Sequence, residues 1–418
     1  MTVQRTKRLF AGPSSGSGPE GLAQHVERLG ELPPKSHRDD LIATLEATGL
    51  LGRGGAGFPV GRKWRSLAAQ DLGRPIVVVN GAEGEPRSAK DRALMTLRPH
   101  LVLDGAALAA DAIGADEIVI YIGEEHTAAR ATVARALEER GREVGRVVRV
   151  VAAPMGYVSG EASAAVNFIN GGSARPTASP PRPSESGVKR RPTLVQNVES
   201  LAYAALIARF GDGWYRSVGR AQTAGTALVT IGGAANRSGV WEIELGTTVG
   251  DIAEMTGASA SRTQAVLMGG YFGAWAGVGE SWDLHLDPAI MRERGLAFGC
   301  GMVSFLSVDD CGVAATAHVM GYMAKESAGQ CGPCVHGLRS IADATANLAE
   351  GTAVTGELQD VERWTTQIPG RGACRHPDGA VALMVSALNV FGDEFAHHQR
   401  TGRCSITGSR VAEVVQVA

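Results

Sequence analysis

The sequence predicts an α/β protein: a parallel sheet, then a small mixed α+β module, then a C-terminal helical bundle. Three observations carry this. Short β-branched runs alternate with helical patterns between residues 76 and 151, the rhythm of a parallel sheet. Strand signals return at Ala227–Ile231, Val240–Leu245, Ala265–Met268 and Val303–Val308, with a turn and short helix in LGTTVGDIAEMTGA between them. From Ala314 onward they vanish, and helical patterns run at 314–325, 334–349, 356–366 and 378–397.

Taken in order, residues 1–37 are rich in Gly, Ser and Pro and predict a loosely ordered arm. Asp39 to Leu50 has helical apolar spacing, and the glycine run GRGGAGFPVGRKW follows it. Ile76–Val79 is a buried strand that ends in an acidic loop, NGAEGEPRSAKDR. Ala93 to Ile113 predicts one or two apolar helices and Glu117–Ile122 a second strand. Glu125–Arg140 is a charge-balanced amphipathic helix with a solvated face, and Val144–Val151 a third strand. Residues 171–192, rich in Pro, Ser and Arg, form a long loop of the kind that is usually functional or mobile. Asn197–Phe210 is helical. The expected domains are an arm at 1–37, an α/β domain at 38–220, the mixed module at 221–310, the bundle at 311–402 and a tail at 403–418.

Hydrophobic residues make up 44% of the 418, enough for packed cores, and the formal charge of −2 gives no global pull toward nucleic acid or anionic membrane. The first twenty residues lack the apolar core of a signal peptide, and no uninterrupted apolar run reaches the roughly 18 residues of a membrane span. A cytoplasmic location is expected, with no direct membrane insertion.

Gly52, Gly54 and Gly57 fit G-x-G-x-x-G, but the loop follows a helix and Phe58-Pro59 stops any helical continuation, so the dinucleotide fingerprint fails its context. Its glycines still let backbone lie against a planar or phosphorylated ligand, with Arg53 and Lys63 flanking it as phosphate partners. A structural turn is the alternative. Asn80, Glu83 and Gly84 lie in the loop after a predicted parallel strand, the usual ligand crevice, where an amide and carboxylates can bond hydroxyl or amide groups. A solvated acidic turn is the competing reading. Trp64 is expected in the core and GGYFGAW at 269–275 in a packing role.

Six cysteines in a chain this long do not make a disulfide scaffold; Cys331, Cys334 and Cys374 cluster late and point to a metal or redox site. CGPC is also the thioredoxin string, but that motif needs a strand before it, and here a helix precedes it. A zinc site lacks a second C-x-x-C pair. Cys300, Cys311 and Cys404 show no ligand spacing and are expected to be ordinary buried thiols.

GRGGAGFP…GRKW, VNGAEGEP…KDR, GYVSGEA and RPTLVQNVES, in that order, resemble the successive flavin-site motifs of the NADH-oxidising subunit of respiratory complex I. ESAGQCGPCVHG and GACRHPDGA resemble its iron–sulfur segment, and TIGGAANRSGVWEIELGTTVGDI its β-grasp (SLBB-like) module. NGAE and VQNV also resemble the flavin-entry subunit of Rnf-type complexes. The resemblance spans about residues 40 to 400 and implies a Rossmann-like FMN-binding domain, a hydride taken from NAD(P)H, and electrons leaving singly through a [4Fe–4S] cluster. It places Gly52, Arg53, Gly54, Gly55, Gly57, Phe58, Lys63, Asn80, Glu83, Gly84, Gly160, Gln196 and Asn197 on cofactor-binding positions, Glu83 and Glu161 on catalytic ones, and Cys331, Cys334 and Cys374 on the metal. It implies a ferredoxin-like or other iron–sulfur partner subunit and, through a partner, a membrane-embedded one.

The chain departs from the family pattern at Ala82 (usually Asp), Ala162 (usually Glu) and Ala328 (usually the first cluster cysteine). Phe58 keeps one adenine-stacking position, while Ser66 and Arg182 take the other two. Arg65, Arg175 and Arg182 would suit a 2′-phosphate, favouring NADPH. With three cysteines, the cluster is either [4Fe–4S] with a non-cysteine or exogenous fourth ligand, His336 and His376 being candidates, or [3Fe–4S]; no cluster at all is the remaining outcome. The alternative function is a noncatalytic electron-transfer or assembly subunit that keeps the fold and has lost nucleotide oxidation.

Overall fold

The computed structural model describes residues 7–406 apart from 15, 17, 34–39 and 142–145. Two compact units form. The first takes Met1–Thr230, Val240–Thr247 and His285–Ile290; the second takes Ile231–Gly239, Thr248–Leu284 and Met291–Ala418.

The first unit begins with α1 (Leu22–Leu29), α2 (Leu41–Thr48) and α3 (Val60–Ala68). It continues with β1 (Ile76–Gly81), α4 (Lys90–Leu97), α5 (Pro99–Ile113), β2 (Glu117–Gly123), α6 (Thr127–Arg140) and β3 (Val147–Ala153). Then come α7 (Ala162–Ile169), β4 (Thr193–Asn197) and α8 (Val198–Arg216), and the chain enters β5 (Thr226–Gly233) and β6 (Gly239–Glu244). The first four strands form one sheet in the order β3-β2-β1-β4, every pair parallel. Ile76-Val77-Val78-Val79 is buried on both faces, as a covered parallel strand must be. Val77 and Val79 pack with Leu108 and Leu201 in one core; Ile76 and Val78 pack with Ala165 and Val188 in the other. The period-two alternation of a strand thus divides one apolar run between two cores.

Helices α5 and α8 meet at Gly105, where an added Cβ would lie 2.0 Å from the Leu201 carbonyl oxygen; glycine is what permits the crossing. Beside it Asp104 is buried with three partners on its carboxylate: the guanidinium groups of Arg140 and Arg209, each at 2.6 Å, and His25 Nε2 at 2.7 Å. His25 comes from α1, and Arg28 of the same helix pairs with buried Glu20 at 2.7 Å. The expectation of a loosely ordered arm at 1–37 is therefore corrected over its described part: α1 is held by these buried ion pairs, and nearby Gly, Ser and Pro hid it. The carboxylate of Glu242 in β6 accepts from the backbone N–H groups of Arg8, Leu9 and Phe10 at 2.9–3.0 Å.

The second unit holds α9 (Val249–Thr256), β7 (Thr263–Met268), β8 (Ala274–Gly277), α10 (Val278–Ser281) and β9 (Met302–Ser307). Between α10 and β9, α11 (Pro288–Glu293) straddles the division of the chain. β7 pairs antiparallel with both β8 and β9. The helix expected in LGTTVGDIAEMTGA is α9, started by a capping box between Thr248 and Asp251 and ended by Gly257 in the left-handed region. GGYFGAW, expected in a packing role, contributes β8 and buries Tyr271 and Trp275. Four further helices, α12 (Gly312–Lys325), α13 (Arg339–Glu350), α14 (Glu357–Gln367) and α15 (His376–Thr401), pack on one another. By length and composition α15 is the one described helix apolar enough to cross a membrane, and its inward face is packed against α12 and α14.

Candidate functional site

β1 has β2 on one side and β4 on the other, so the sheet changes direction between β1 and β4, and a crevice is expected beyond their carboxyl ends. Four segments far apart in sequence meet there. Asn80, at the end of β1, donates its side-chain N–H to the Gly160 carbonyl at 2.9 Å. A Cβ on Gly84 would lie 2.5 Å from the Tyr157 carbonyl oxygen, and one on Gly160 would lie 2.7 Å from the Ala82 carbonyl oxygen. The acidic loop and the GYVSGEA segment are thus in backbone contact that any side chain would break. The glycine loop is closed at its base by the Gly52 N–H on the Phe58 carbonyl at 2.9 Å and reaches over β4, where a Cβ on Gly54 would come within 3.3 Å of Asn197 Cβ. Gly55 and Gly57 have φ of +107° and +63°, which only glycine adopts without strain.

The polar side chains divide by what they bond. Glu83 is buried and accepts from the Ser88 hydroxyl and from the backbone N–H groups of Asp91 and Arg92, so it anchors the acidic loop to the start of α4. Glu161 caps α7, accepting from the N–H groups of Ser163 and Ala164 at 2.8 and 3.0 Å, and is exposed. Asn197 caps α8 by accepting from the Glu199 N–H at 2.9 Å, and its own N–H donates to Asp91 at 2.6 Å. Lys63 donates from Nζ to the Val195 carbonyl at 2.5 Å, and burial lowers its pKa to about 8. Phe58 is 57% exposed.

Beneath the loops lies a buried charged group the sequence did not reveal. Lys90 bonds Asp91 at 2.7 Å and Glu199 at 2.9 Å. Burial and the carboxylates of Glu83 and Glu199 push Asp91 up, against the opposing pull of Lys90. Arg53 belongs to this group. Its guanidinium is 2% exposed, 3.7 Å from Glu199, and donates to the Thr226 carbonyl at 3.2 Å. The Arg53 side chain, expected to pair with a ligand phosphate, is turned into the protein and held by Glu199 and the Thr226 carbonyl. Arg65, expected to read a 2′-phosphate, is paired with Glu46 at 2.6 Å, while Arg175 and Arg182 are exposed.

Gln196 tests whether the crevice suits a polar ligand. It is 4% exposed at the end of β4, and its carbonyl oxygen is buried without a hydrogen-bond partner. An unpaired buried acceptor of this kind takes a donor from water or a ligand, and a polyol hydroxyl is one that would suit it.

The second unit gathers the three expected metal cysteines. Cys331 and Cys334 bracket the start of a π-helical turn at Pro333–Leu338, and Cys374 comes from the loop before α15. Burial, with Cys331 and then Cys374 close by, pushes the Cys334 thiol up to about 12. Cys334 is buried while Cys331 and Cys374 are partly exposed, and thiolates are the usual ligands of an iron–sulfur cluster. Ala328 is buried with no donor atom. His336 is exposed; His376 is buried and its Nε2 is 2.7 Å from the Met323 carbonyl.

Two family models match: "Nuo51 FMN-binding domain" over residues 45–205 and "NADH-ubiquinone oxidoreductase-F iron-sulfur binding region" over residues 314–398. An F subunit of NADH-quinone oxidoreductase from Rhizobium meliloti is 29% identical, over 90% of this chain and 91% of the relative. The F subunit of NADH-quinone oxidoreductase from Salmonella typhimurium is 32% identical, over 85% of this chain and 84% of the relative. Among solved structures, a chain of an NAD+-reducing [NiFe]-hydrogenase in the H2-reduced state superposes with a TM-score of 0.79 at 28% identity; 88% of this chain matches 63% of that longer chain. The air-oxidised state gives a TM-score of 0.81 at 26% identity, over 95% of this chain and 67% of that one.

Proposed function

We infer the activity from one premise: the chain belongs to the family of the NADH-quinone oxidoreductase F subunits, the flavoprotein subunits of complex I. It is an FMN-dependent NADH dehydrogenase subunit that passes electrons to iron–sulfur clusters. The convergence of four segments, three of them glycine-bearing, at the β1/β4 switch point, around the partnerless side-chain oxygen of Gln196, carries this assignment.

FMN, when bound, accepts a hydride and releases single electrons. The chain's own residues bind and orient. Gly54, Gly55 and Gly57 let backbone approach the ring, and the amide N–H groups of a glycine loop suit a phosphate. Lys63 stands at the end of β4 as the phosphate-side cation in place of Arg53. Gln196 accepts from the ribityl chain and Asn80 holds the GYVSGEA segment against the acidic loop. Glu83, expected to be catalytic, is a positioning residue; exposed Glu161 is the carboxylate that nucleotide can reach. Exposed Phe58 offers one ring to the adenine, a contact worth about 0.5–1.5 kcal/mol beyond burial. Cys331, Cys334 and Cys374 hold the cluster. Residues 221–310 are read as a β-grasp (SLBB-like) module, supported by antiparallel β7, β8 and β9 with capped α9, and residues 311–402 as a helical bundle. The electron acceptor is a ferredoxin-like iron–sulfur subunit, and any membrane-embedded partner is reached through it.

Anaerobic addition of NADH to flavin-loaded protein is expected to bleach the flavin absorbance, with NADPH slower because Arg65 is already paired with Glu46. If neither nucleotide bleaches it, the chain is a noncatalytic subunit. Gly84→Val is expected to part the acidic loop from Tyr157, costing roughly 1–3 kcal/mol by overpacking and lowering bound FMN well below one per chain. Full flavin content in that variant would show that the crevice lies elsewhere.

A further inference from the structure

Cys311, Glu394, His398 and Cys404, which play no part in the flavin or cluster sites, bring one ligand atom each to within 4.8 Å of the others. Cys311 opens α12, Glu394 and His398 stand one turn apart on the last turns of α15, and Gly402 in the left-handed region turns the chain so that Cys404 comes back to the helix. Cys311, His398 and Cys404 are each at most 2% exposed. We propose that these four side chains form a structural zinc site that fastens the end of α15 to the start of α12.

The separations fit. Zn–S bonds of about 2.3 Å and Zn–N bonds of about 2.0 Å give a tetrahedral S-to-N edge of about 3.5 Å, and Cys311 Sγ lies 3.5 Å from His398 Nε2. Glu394 Oε1 lies 3.0 Å from the same nitrogen. The orientation of the imidazole is fixed from behind: with the proton on Nδ1, it donates to the Leu348 carbonyl at 2.9 Å, which turns the Nε2 lone pair toward the sulfur and carboxylate. That arrangement turns an imidazole lone pair, a carboxylate oxygen and a sulfur toward one point in a buried corner, as the ligands of a metal ion are turned. Glu394 is itself held by the N–H and hydroxyl of Ser405, so the ligands have the supporting bonds that metal sites require. Two thiolates, an imidazole and a carboxylate are a donor set for zinc, and four protein ligands leave no open position for substrate. Binding releases the two thiol protons and needs no electron transfer.

Metal analysis of the full-length, anaerobically purified protein tests this. One zinc per chain is expected in addition to iron. Zinc-edge X-ray absorption is expected to show two sulfurs at about 2.3 Å and two lighter ligands near 2.0 Å. Cys311→Ser, which keeps a capping side chain on α12, and Cys404→Ser are expected to weaken zinc binding by at least roughly 10- to 100-fold. Iron, flavin and the cluster's paramagnetic signal should remain in both. Absence of zinc together with failure to take up added zinc sinks the proposal. So does a shell of three or four sulfurs, which would place the zinc on Cys331, Cys334 and Cys374, or a disulfide between Cys311 and Cys404 in the anaerobic protein.

Discussion

Asp104→Ala is expected to destabilise the first unit by roughly 3–5 kcal/mol, the cost of leaving buried cations without their counter-charge. The carboxylate is nearly fully buried and carries Arg140, Arg209 and His25 at 2.6–2.7 Å. Removing it strands two guanidinium groups, one in α6 and one in α8, in the core that covers the sheet. Against a typical stability of about 5–15 kcal/mol that loss is large. Urea unfolding followed by flavin release would measure it. The control is Asp360→Ala, which breaks an exposed pair with Arg363 and should cost less than about 1 kcal/mol. If both variants unfold alike, the buried network does not stabilise the unit.

The same network sets an acid limit. Burial alone would raise the carboxyl pKa of Asp104, but the His25 bond and the charges of Arg140 and Arg209 outweigh it and hold the group well below the usual range. Glu20 falls to about 2, where bonds from His25 and Arg28 overcome burial. Groups whose folded pKa is depressed contribute fully above the unfolded value of about 4, and lose that contribution as the pH falls through the folded value. Acid unfolding of the first unit is therefore expected between about pH 4 and 2, and earlier in Asp104→Asn.

Cys334→Ala is expected to abolish the cluster. The three thiols are already one short of the usual set, and Cys334 is the most buried of them. Two remaining thiolates do not retain iron, so iron content and the low-temperature paramagnetic signal should fall to background while bound flavin stays near one per chain. Retained flavin separates cluster loss from unfolding. The reciprocal change, Ala328→Cys, restores the C-x-x-C-x-x-C spacing and is expected to raise iron toward four per chain and slow its loss to chelators. Unchanged iron in both variants would mean that the metal is not held by this corner.

Much of this was legible in the sequence, for identifiable reasons. Ile76–Val79 and Glu117–Ile122 read as strands because both faces of a parallel sheet are apolar. Three of the four flavin-site segments carry glycine at close-approach positions, which leaves a visible mark, and the fourth, RPTLVQNVES, stands out by its resemblance to the family motif. Elements without such marks escaped. β4 is only Thr193–Asn197, hidden behind Arg190-Arg191-Pro192, and β8 lies inside a glycine-aromatic string. The inward turn of Arg53 depends on Glu199 and Thr226, the latter 173 positions away, and a cation on a glycine loop reads otherwise as ligand-facing. Cys311 and His398 are 87 positions apart, so no spacing rule could pair them.

The N-terminal N–H groups of Arg8, Leu9 and Phe10 wait on a carboxylate at Glu242, and the loop at Thr223 is tied to Asp287 at 2.6 Å. During synthesis the ribosome must therefore release some 290 residues before the first unit can close. Until then the Arg8–Phe10 backbone and the loop at Thr223 lack the carboxylates that hold them. Assembly is ordered by the later half of the polypeptide, which finishes what the earlier half begins.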